Sequence, residues 1–252
     1  VKSSAPKAIV IGASSGIGRS VAKVLAEHGY DIGLTGRRVA LLKQLQQEIK
    51  TPTFLKPMDL SQPETAMMCL ATLIDEMGGL DLVVINAGVG STNFELDWEN
   101  EFHTATVNAI GFMAMANVAC KYFMKQGYGH LVGVSSVVGI RGVGKNPAYA
   151  ASKAFVSNYL DGLRQRVSGT PIYVTDIRPG FVDTALLTKR KGVFWMATPD
   201  EAARQIYAAI VKRKLVAYVT RRWNLAAAVF RVIPNSIYDW IFWKVFSADR
   251  RP

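Results

Sequence analysis

Seven short apolar runs, rich in β-branched residues, alternate along this chain with segments of helical periodicity, and that alternation leaves few folds open. The runs cover residues 8–11, 31–35, 53–56, 82–85, 130–134, 172–177 and 215–219. Each is almost continuously apolar, as a strand must be when both faces of its sheet are covered. Between them, residues 17–28, 40–49, 63–76, 98–125 and 149–167 carry the spacing of amphipathic helices. Thr198-Pro199-Asp200-Glu201 announces one more, with a capping hydroxyl, a proline in the first turn and a glutamate three residues after the threonine. The expected architecture is a doubly wound, mostly parallel seven-stranded α/β sheet with helices on both faces. Residues 1–220 form the expected domain, and residues 221–252 a C-terminal amphipathic, aromatic and basic extension of it. No repeat or linker divides the chain.

The first strand runs into Gly12-Ala13-Ser14-Ser15-Gly16-Ile17-Gly18 and then a helix. Glycines at such a place permit a tight turn and let a pyrophosphate approach the free N–H groups of the helix N-terminus. The spacing is GxxxGxG, not the GxGxxG of longer dinucleotide-binding enzymes. Taken alone it would serve packing equally well; its weight comes from the strand–turn–helix setting. The second strand ends Leu34-Thr35-Gly36-Arg37-Arg38. A carboxylate at this strand end would bind a ribose 2′-OH. Gly36 offers none, whereas the planar fork of Arg37 can pair with a 2′-phosphate. NADP(H) is therefore expected over NAD(H), with Arg38 open between the same role and a solvated helix start.

Tyr149-Ala150-Ala151-Ser152-Lys153 places a phenol and an ammonium four residues apart, on one face of a helix. A nearby cation favours phenolate, and bringing a phenol from about 10 to about 8 needs roughly 2.7 kcal/mol. Lys153 and a cationic nicotinamide are expected to supply it, so that Tyr149 can exchange a proton with a carbonyl or alcohol oxygen. Ser136 follows the strand at 130–134 and precedes Tyr149 by thirteen residues. That places it at the carboxyl edge where open α/β sheets bind ligands. Ser135 is the alternative serine.

With Leu82-Val83-Val84-Ile85-Asn86-Ala87-Gly88 and Asn108 added to these motifs, residues 7–220 resemble the short-chain dehydrogenase/reductase family, of the single-domain, NADP-preferring type. The resemblance implies a Rossmann-like fold and an oxidoreductase acting on CH–OH/C=O groups, a ketoreductase or alcohol dehydrogenase. It implies cofactor contacts at Gly12, Ser14, Ser15, Gly16, Ile17 and Gly18, at Asp59-Leu60 for the adenine, and at Asn86-Ala87-Gly88. Pro179-Gly180, followed by Val182 and Thr184, resembles the turn that cups the nicotinamide. The implied catalytic set is Asn108, Ser136, Tyr149 and Lys153. Ser136 would orient the carbonyl, Lys153 would bind the nicotinamide ribose and assist Tyr149, and Asn108 would hold a relay water. Capping a helix kink is the other reading of Asn108. Ile11 and Ile85 depart from the family's usual residues beside the glycine turn and Asn86-Ala87-Gly88. A non-catalytic NADP-binding sensor on the same fold would tolerate loss of Tyr149 or Lys153, and both are present.

Residues 181–197 are expected to cover the substrate. Phe181, Leu186, Leu187, Phe194, Trp195 and Met196 make this loop largely apolar, interrupted by Lys189-Arg190-Lys191, which points to an apolar or lipid-linked substrate. Arg141 and Lys145 border this side, either solvated or ligand-binding. The net charge of +11 is uneven: 13 basic and 4 acidic residues follow position 185, against 17 and 15 before it. No nucleic-acid module accompanies this surplus. Instead it is interleaved with Trp223, Trp240 and Trp243, a mixture suited to an anionic membrane surface. Arg231, Pro234, Asn235 and Asp239 interrupt the tail, so it would lie on a membrane and not span one; packing against the domain or a second subunit stays open. Cys69 and Cys120 lie far apart, as in a reduced compartment. His28, His103 and His130 lack metal-ligand spacing and read as surface or helix-end residues, so no metal is expected. Neither a leader-type opening nor an 18-residue apolar run is present. The expectation is a cytoplasmic protein, peripheral on the inner membrane face. A homodimer or homotetramer is implied by the resemblance, along the helices at 98–125 and 149–167, with Ala114, Ala116, Ala119 and Ala154 permitting close approach.

Overall fold

Seven strands form one sheet: β1 (Lys7–Ile11), β2 (Asp31–Gly36), β3 (Thr53–Pro57), β4 (Leu82–Ile85), β5 (Gly129–Val134), β6 (Ile172–Pro179) and β7 (Val216–Val219). All neighbours pair in parallel, in the order β3-β2-β1-β4-β5-β6-β7. The structure is a computed structural model and describes residues 5–185, 187 and 195–249, with side chains to 244. Leu186, Lys189, Arg190, Lys191 and Phe194 lie outside the described residues.

The helices are α1 (Gly16–Glu27), α2 (Val39–Glu48), α3 (Pro63–Met77), α4 (Trp98–Ala105), α5 (Phe112–Gln126), α6 (Pro147–Arg166), α7 (Pro199–Val211), α8 (Trp223–Val232) and α9 (Asn235–Asp249). Strand period decides which helices cover which face. Ile9, Ile11, Val83, Ile85 and Leu131 point into one core with α3, α5 and α6. Ala8, Val10, Leu82, Val84 and Val132 point into the other with α1, α2 and α7. The Thr198 capping box forms as its sequence predicts, each partner hydrogen-bonded to the other's main chain.

The sheet order reverses between β1 and β4, which opens a crevice at their carboxyl ends. Three features differ from expectation. The helix expected over 98–125 is interrupted by a π-helical turn at Thr106–Gly111, which carries the buried Asn108. His130 is buried at the start of β5, not on the surface, with its ring against Tyr173. Ala114, Ala116 and Ala119 are buried within the chain's own core, so they are not open to a partner subunit.

Candidate active site

The glycine turn is held by backbone contacts that admit no side chain. Gly12 has φ of +89°, and a Cβ there would lie 2.7 Å from the Ala87 Cα; a Cβ on Gly18 would lie 2.2 Å from the Gly12 carbonyl oxygen. Asn86 Nδ2 donates to that same carbonyl at 3.1 Å, tying the end of β4 to the turn. Ser15 caps α1 without a side-chain hydrogen bond, which leaves the first-turn N–H groups directed at the crevice.

Two adjoining cavities, each of about 410 Å³, occupy the carboxyl edge of the sheet and share Ile17, Asn86, Gly88, Gly90 and Thr184. Every residue expected to bind cofactor lines one cavity or the other except Gly18, which packs behind the turn. The first cavity extends from the glycine turn to Arg37, Asp59 and Leu60. Arg38, itself exposed, reaches back to the turn and donates to Ser14 Oγ at 2.9 Å and Ser15 Oγ at 2.5 Å.

At the seam of the cavities, the Tyr149 ring lies so close under Gly90 that a Cβ there would come within 2.5 Å of it. Ser136 Oγ donates to the Pro179 carbonyl at 3.3 Å and accepts from Val138 N, and from that place its side chain favours the phenolate form of Tyr149. Ser135 is turned to other partners, donating to the buried Asp176 at 2.5 Å. Of the two candidate serines, then, Ser136 is the one beside the phenol. Lys153 is buried, donates to the Val134 carbonyl at 2.9 Å, and lies 5.8 Å from the Tyr149 ring centroid.

Desolvation dominates the protonation of both groups. Burial pushes the Tyr149 phenol up to about 12, with only the Ser136 side chain opposing it. Burial brings the Lys153 ammonium down to about 8, against the opposing charge of Asp176. The expected lowering of the phenol is thus not produced by the protein alone. Removing the phenolate from water costs more than the ammonium, committed to Val134, returns.

Asn108 gives both amide hydrogens to fixed partners, the Val89 carbonyl at 2.7 Å and Ser152 Oγ at 3.1 Å, while its oxygen accepts from Val89 N at 2.8 Å. It therefore joins the segment after β4 to α6. A Cβ on Gly88 would stand 3.3 Å from both Asn108 Oδ1 and Lys153 Nζ, so the two side chains converge beneath that glycine.

The second cavity is walled by Val137, Val138, Ile140 and Phe181, and closed by Phe230 of α8 and Tyr238 and Phe242 of α9. Arg141 and Lys153 are the only charged side chains among its described lining residues. Trp223 packs under the Pro179-Gly180 turn, where a Cβ on Gly180 would strike its indole. Gly90, Ser152, Asp176 and the aromatic wall were not anticipated from the sequence. The wall had a signal in the spacing of Trp223, Ala227 and Phe230, and of Tyr238 and Phe242, which are the inward positions of two short helices.

Comparison with known proteins agrees with this geometry. A sequence profile described as short chain dehydrogenase matches residues 6–192. An uncharacterized oxidoreductase of Myxococcus xanthus is 37% identical over 241 residues, covering 92% of this chain and 94% of its own length. Another from Mycobacterium tuberculosis is 33% identical over 213 residues, covering 81% and 84%. The alcohol dehydrogenase of the archaeon Thermococcus sibiricus, solved in complex with 5-hydroxy-NADP, superposes with a TM-score of 0.75 at 25% identity, over 84% of this chain and 95% of that one.

Proposed function

The chain belongs to the short-chain dehydrogenase family, and from that premise we propose that it is an NADP(H)-dependent oxidoreductase interconverting a neutral, apolar carbonyl compound and its alcohol. The observation that carries this reading is the meeting of Tyr149, Ser136 and Lys153 at the seam between a polar cavity and an apolar one.

The residues present fit a dinucleotide. The glycine cradle and the α1 N-terminus suit the pyrophosphate, Asp59 and Leu60 the adenine end, and Pro179, Gly180, Val182 and Thr184 the nicotinamide end. Arg37 suits a 2′-phosphate, and Arg38, anchored on Ser14, adds a second cation beside it. Such a cofactor supplies or accepts the hydride when bound. In reduction, Tyr149 gives its phenolic proton to the carbonyl oxygen; in oxidation it takes the proton back. Burial keeps the phenol protonated at neutral pH in the protein alone, so Tyr149 carries the proton that a carbonyl oxygen would accept. Ser136 orients the oxygen, and Lys153 holds its ammonium between Val134 and the phenol ring. Asn108, with both N–H groups committed, fixes the segment over which Lys153 lies and can only accept from a relay water. A sensor without turnover needs none of this set, and all of it is in place.

The apolar wall supports the substrate class. Its two cations, Lys153 and Arg141, hydrogen-bond to the protein's own main-chain carbonyls, and the other described lining residues carry no charge, so the wall favours a neutral substrate over a carboxylate. A screen of neutral ketones, lipid-linked carbonyl compounds and keto acids, followed by NADPH absorbance, tests it. Turnover confined to the apolar compounds is expected; preference for keto acids would overturn the assignment.

We place the protein in the cytoplasm, as the free thiols of Cys69 and Cys120 permit, with residues 221–252 as part of the same domain. Among the described residues no helix is long and apolar enough to cross a membrane. The outer faces of α8 and α9 nevertheless expose Leu225, Val229, Val232, Ile237, Trp240 and Trp243. Arg221, Arg222 and Lys244 stand among them, and Lys244 lies over the Trp240 ring at 4.2 Å. Each basic group is worth about 1 kcal/mol at an anionic surface. Flotation with anionic vesicles at low salt is expected, and its absence would make these helices purely structural. Assembly into a homodimer or homotetramer is supported by exposed Trp98, Phe102, Ile110, Met113 and Phe155 on the α4–α6 side.

A further inference from the structure

Arg141 makes an unusual set of contacts for a residue on a surface loop. Its Nε donates to the Phe230 carbonyl at 2.9 Å and its Nη2 to the Ile233 carbonyl at 2.5 Å. Its Nη1 donates to the side-chain oxygen of Asn235. The guanidinium also lies 5.4 Å from the Tyr238 ring centroid, and the Tyr238 hydroxyl donates to the Gly142 carbonyl at 2.9 Å. All of these partners except Gly142 belong to one place, the junction where α8 ends and α9 begins. The bonds satisfy carbonyls at the α8 C-terminus, the end of a helix at which a cation is also favoured by the dipole.

The other side of Arg141 is mounted on the catalytic framework. Between Ser136 and Arg141 runs only the 3-10 turn Val137–Ile140. Gly139 of that turn lies so close to α6 that a Cβ would stand 2.7 Å from the main-chain carbon of Lys153. The turn is therefore pressed against the helix that carries Tyr149 and Lys153. The α8–α9 hairpin meets the cavity through Phe230, Tyr238 and Phe242.

We infer that Arg141 is a specificity-determining positioning residue that latches the α8–α9 hairpin over the substrate cavity and so sets the size of apolar substrate admitted. The planar fork is needed because the acceptors are spread over two main-chain carbonyls and a side-chain amide, with an aromatic face behind them. A lysine, with a single nitrogen, cannot span that spread. The fork is consumed by neutral acceptors, so its role is geometric, and it leaves the catalytic groups untouched.

The inference rests on the proposed activity only for its kinetic arm, and the test separates the two. Amide hydrogen exchange is measured on the full chain and on Arg141→Ala, Arg141→Lys and Tyr238→Phe. Exchange across residues 223–249 should rise about tenfold in Arg141→Ala, the effect of removing one net hydrogen bond from the closed hairpin. It should rise less in the other two, and remain unchanged in the strands. Binding of the neutral dye Nile red should change in parallel, while the Kd for NADPH stays constant. For ketones that are turned over, KM should shift more for bulky substrates than for small ones. Unchanged exchange in the hairpin, or a rise spread evenly over the whole chain, would overturn the latch. Intact latch behaviour in the exchange and dye measurements, with no ketone reduced by any variant, would instead overturn the proposed activity.

Discussion

His130 carries a stability cost that appears only in acid, and its surroundings give the size. The imidazole is buried at the start of β5 with Nε2 2.8 Å from Thr175 Oγ1. The Thr175 hydroxyl donates its own hydrogen to the Lys214 carbonyl at 2.6 Å, so it must accept from the imidazole, which fixes a neutral ring protonated on Nε2. Charging the ring would place a second proton on Nδ1 in a dry site, near the Arg213 guanidinium that lies 4.0 Å from the Tyr173 ring centroid. Burial first, and Arg213 second, bring His130 from 6.5 down to about 4. The unfolded chain therefore binds the proton more readily than the native one, and stability present above pH 6.5 is lost as the pH falls toward 4. The full difference is about 3 kcal/mol, of which about 2 kcal/mol is lost between pH 7 and pH 5. Urea unfolding at those two pH values should show this loss in the wild type and a loss smaller by about that amount in His130→Gln. Equal acid sensitivity in the two proteins would refute the reasoning.

Arg37→Ala should raise the Kd for NADPH by about tenfold or more, the worth of a charge-assisted hydrogen bond, and leave the Kd for NADH nearly unchanged; isothermal titration with both cofactors decides it. Because burial brings Lys153 down to about 8, NADPH affinity should weaken above that pH as the ammonium is lost, which a titration from pH 7 to 10 would detect. Sedimentation at micromolar concentration should find a dimer or tetramer, and a charged substitution at the exposed Phe102 should shift it toward monomer.

The strands and their order of occurrence were legible because residues such as Val83, Val84 and Ile85 must be apolar on both faces of a covered parallel sheet. The glycine turn and the Tyr149–Lys153 pair were legible because each chemistry fixes a short spacing along one element. What could not be read depends on contacts across the fold. The π-helical turn that aims Asn108 inward lies within a stretch whose composition is simply helical. His130 sits in a polar run of Gly127, Tyr128 and Gly129, and only the pairing of β5 with β6 buries it beside Thr175. The upward shift of Tyr149 in the protein alone was not legible because spacing reveals a nearby cation but not how much water the fold removes. Arg141 and its acceptors are about ninety residues apart in sequence, and no local pattern connects them.

The central claim is that Tyr149 is the proton donor in a reduction that consumes NADPH. Replacing it with phenylalanine keeps the ring packed under Gly90 and removes only the hydroxyl, so the comparison is specific. Single-turnover oxidation of bound NADPH by an apolar ketone should slow by roughly 100-fold or more in Tyr149→Phe, the usual contribution of a positioned acid, with the Kd for NADPH unchanged. Turnover in Tyr149→Phe at near the wild-type rate would contradict the account.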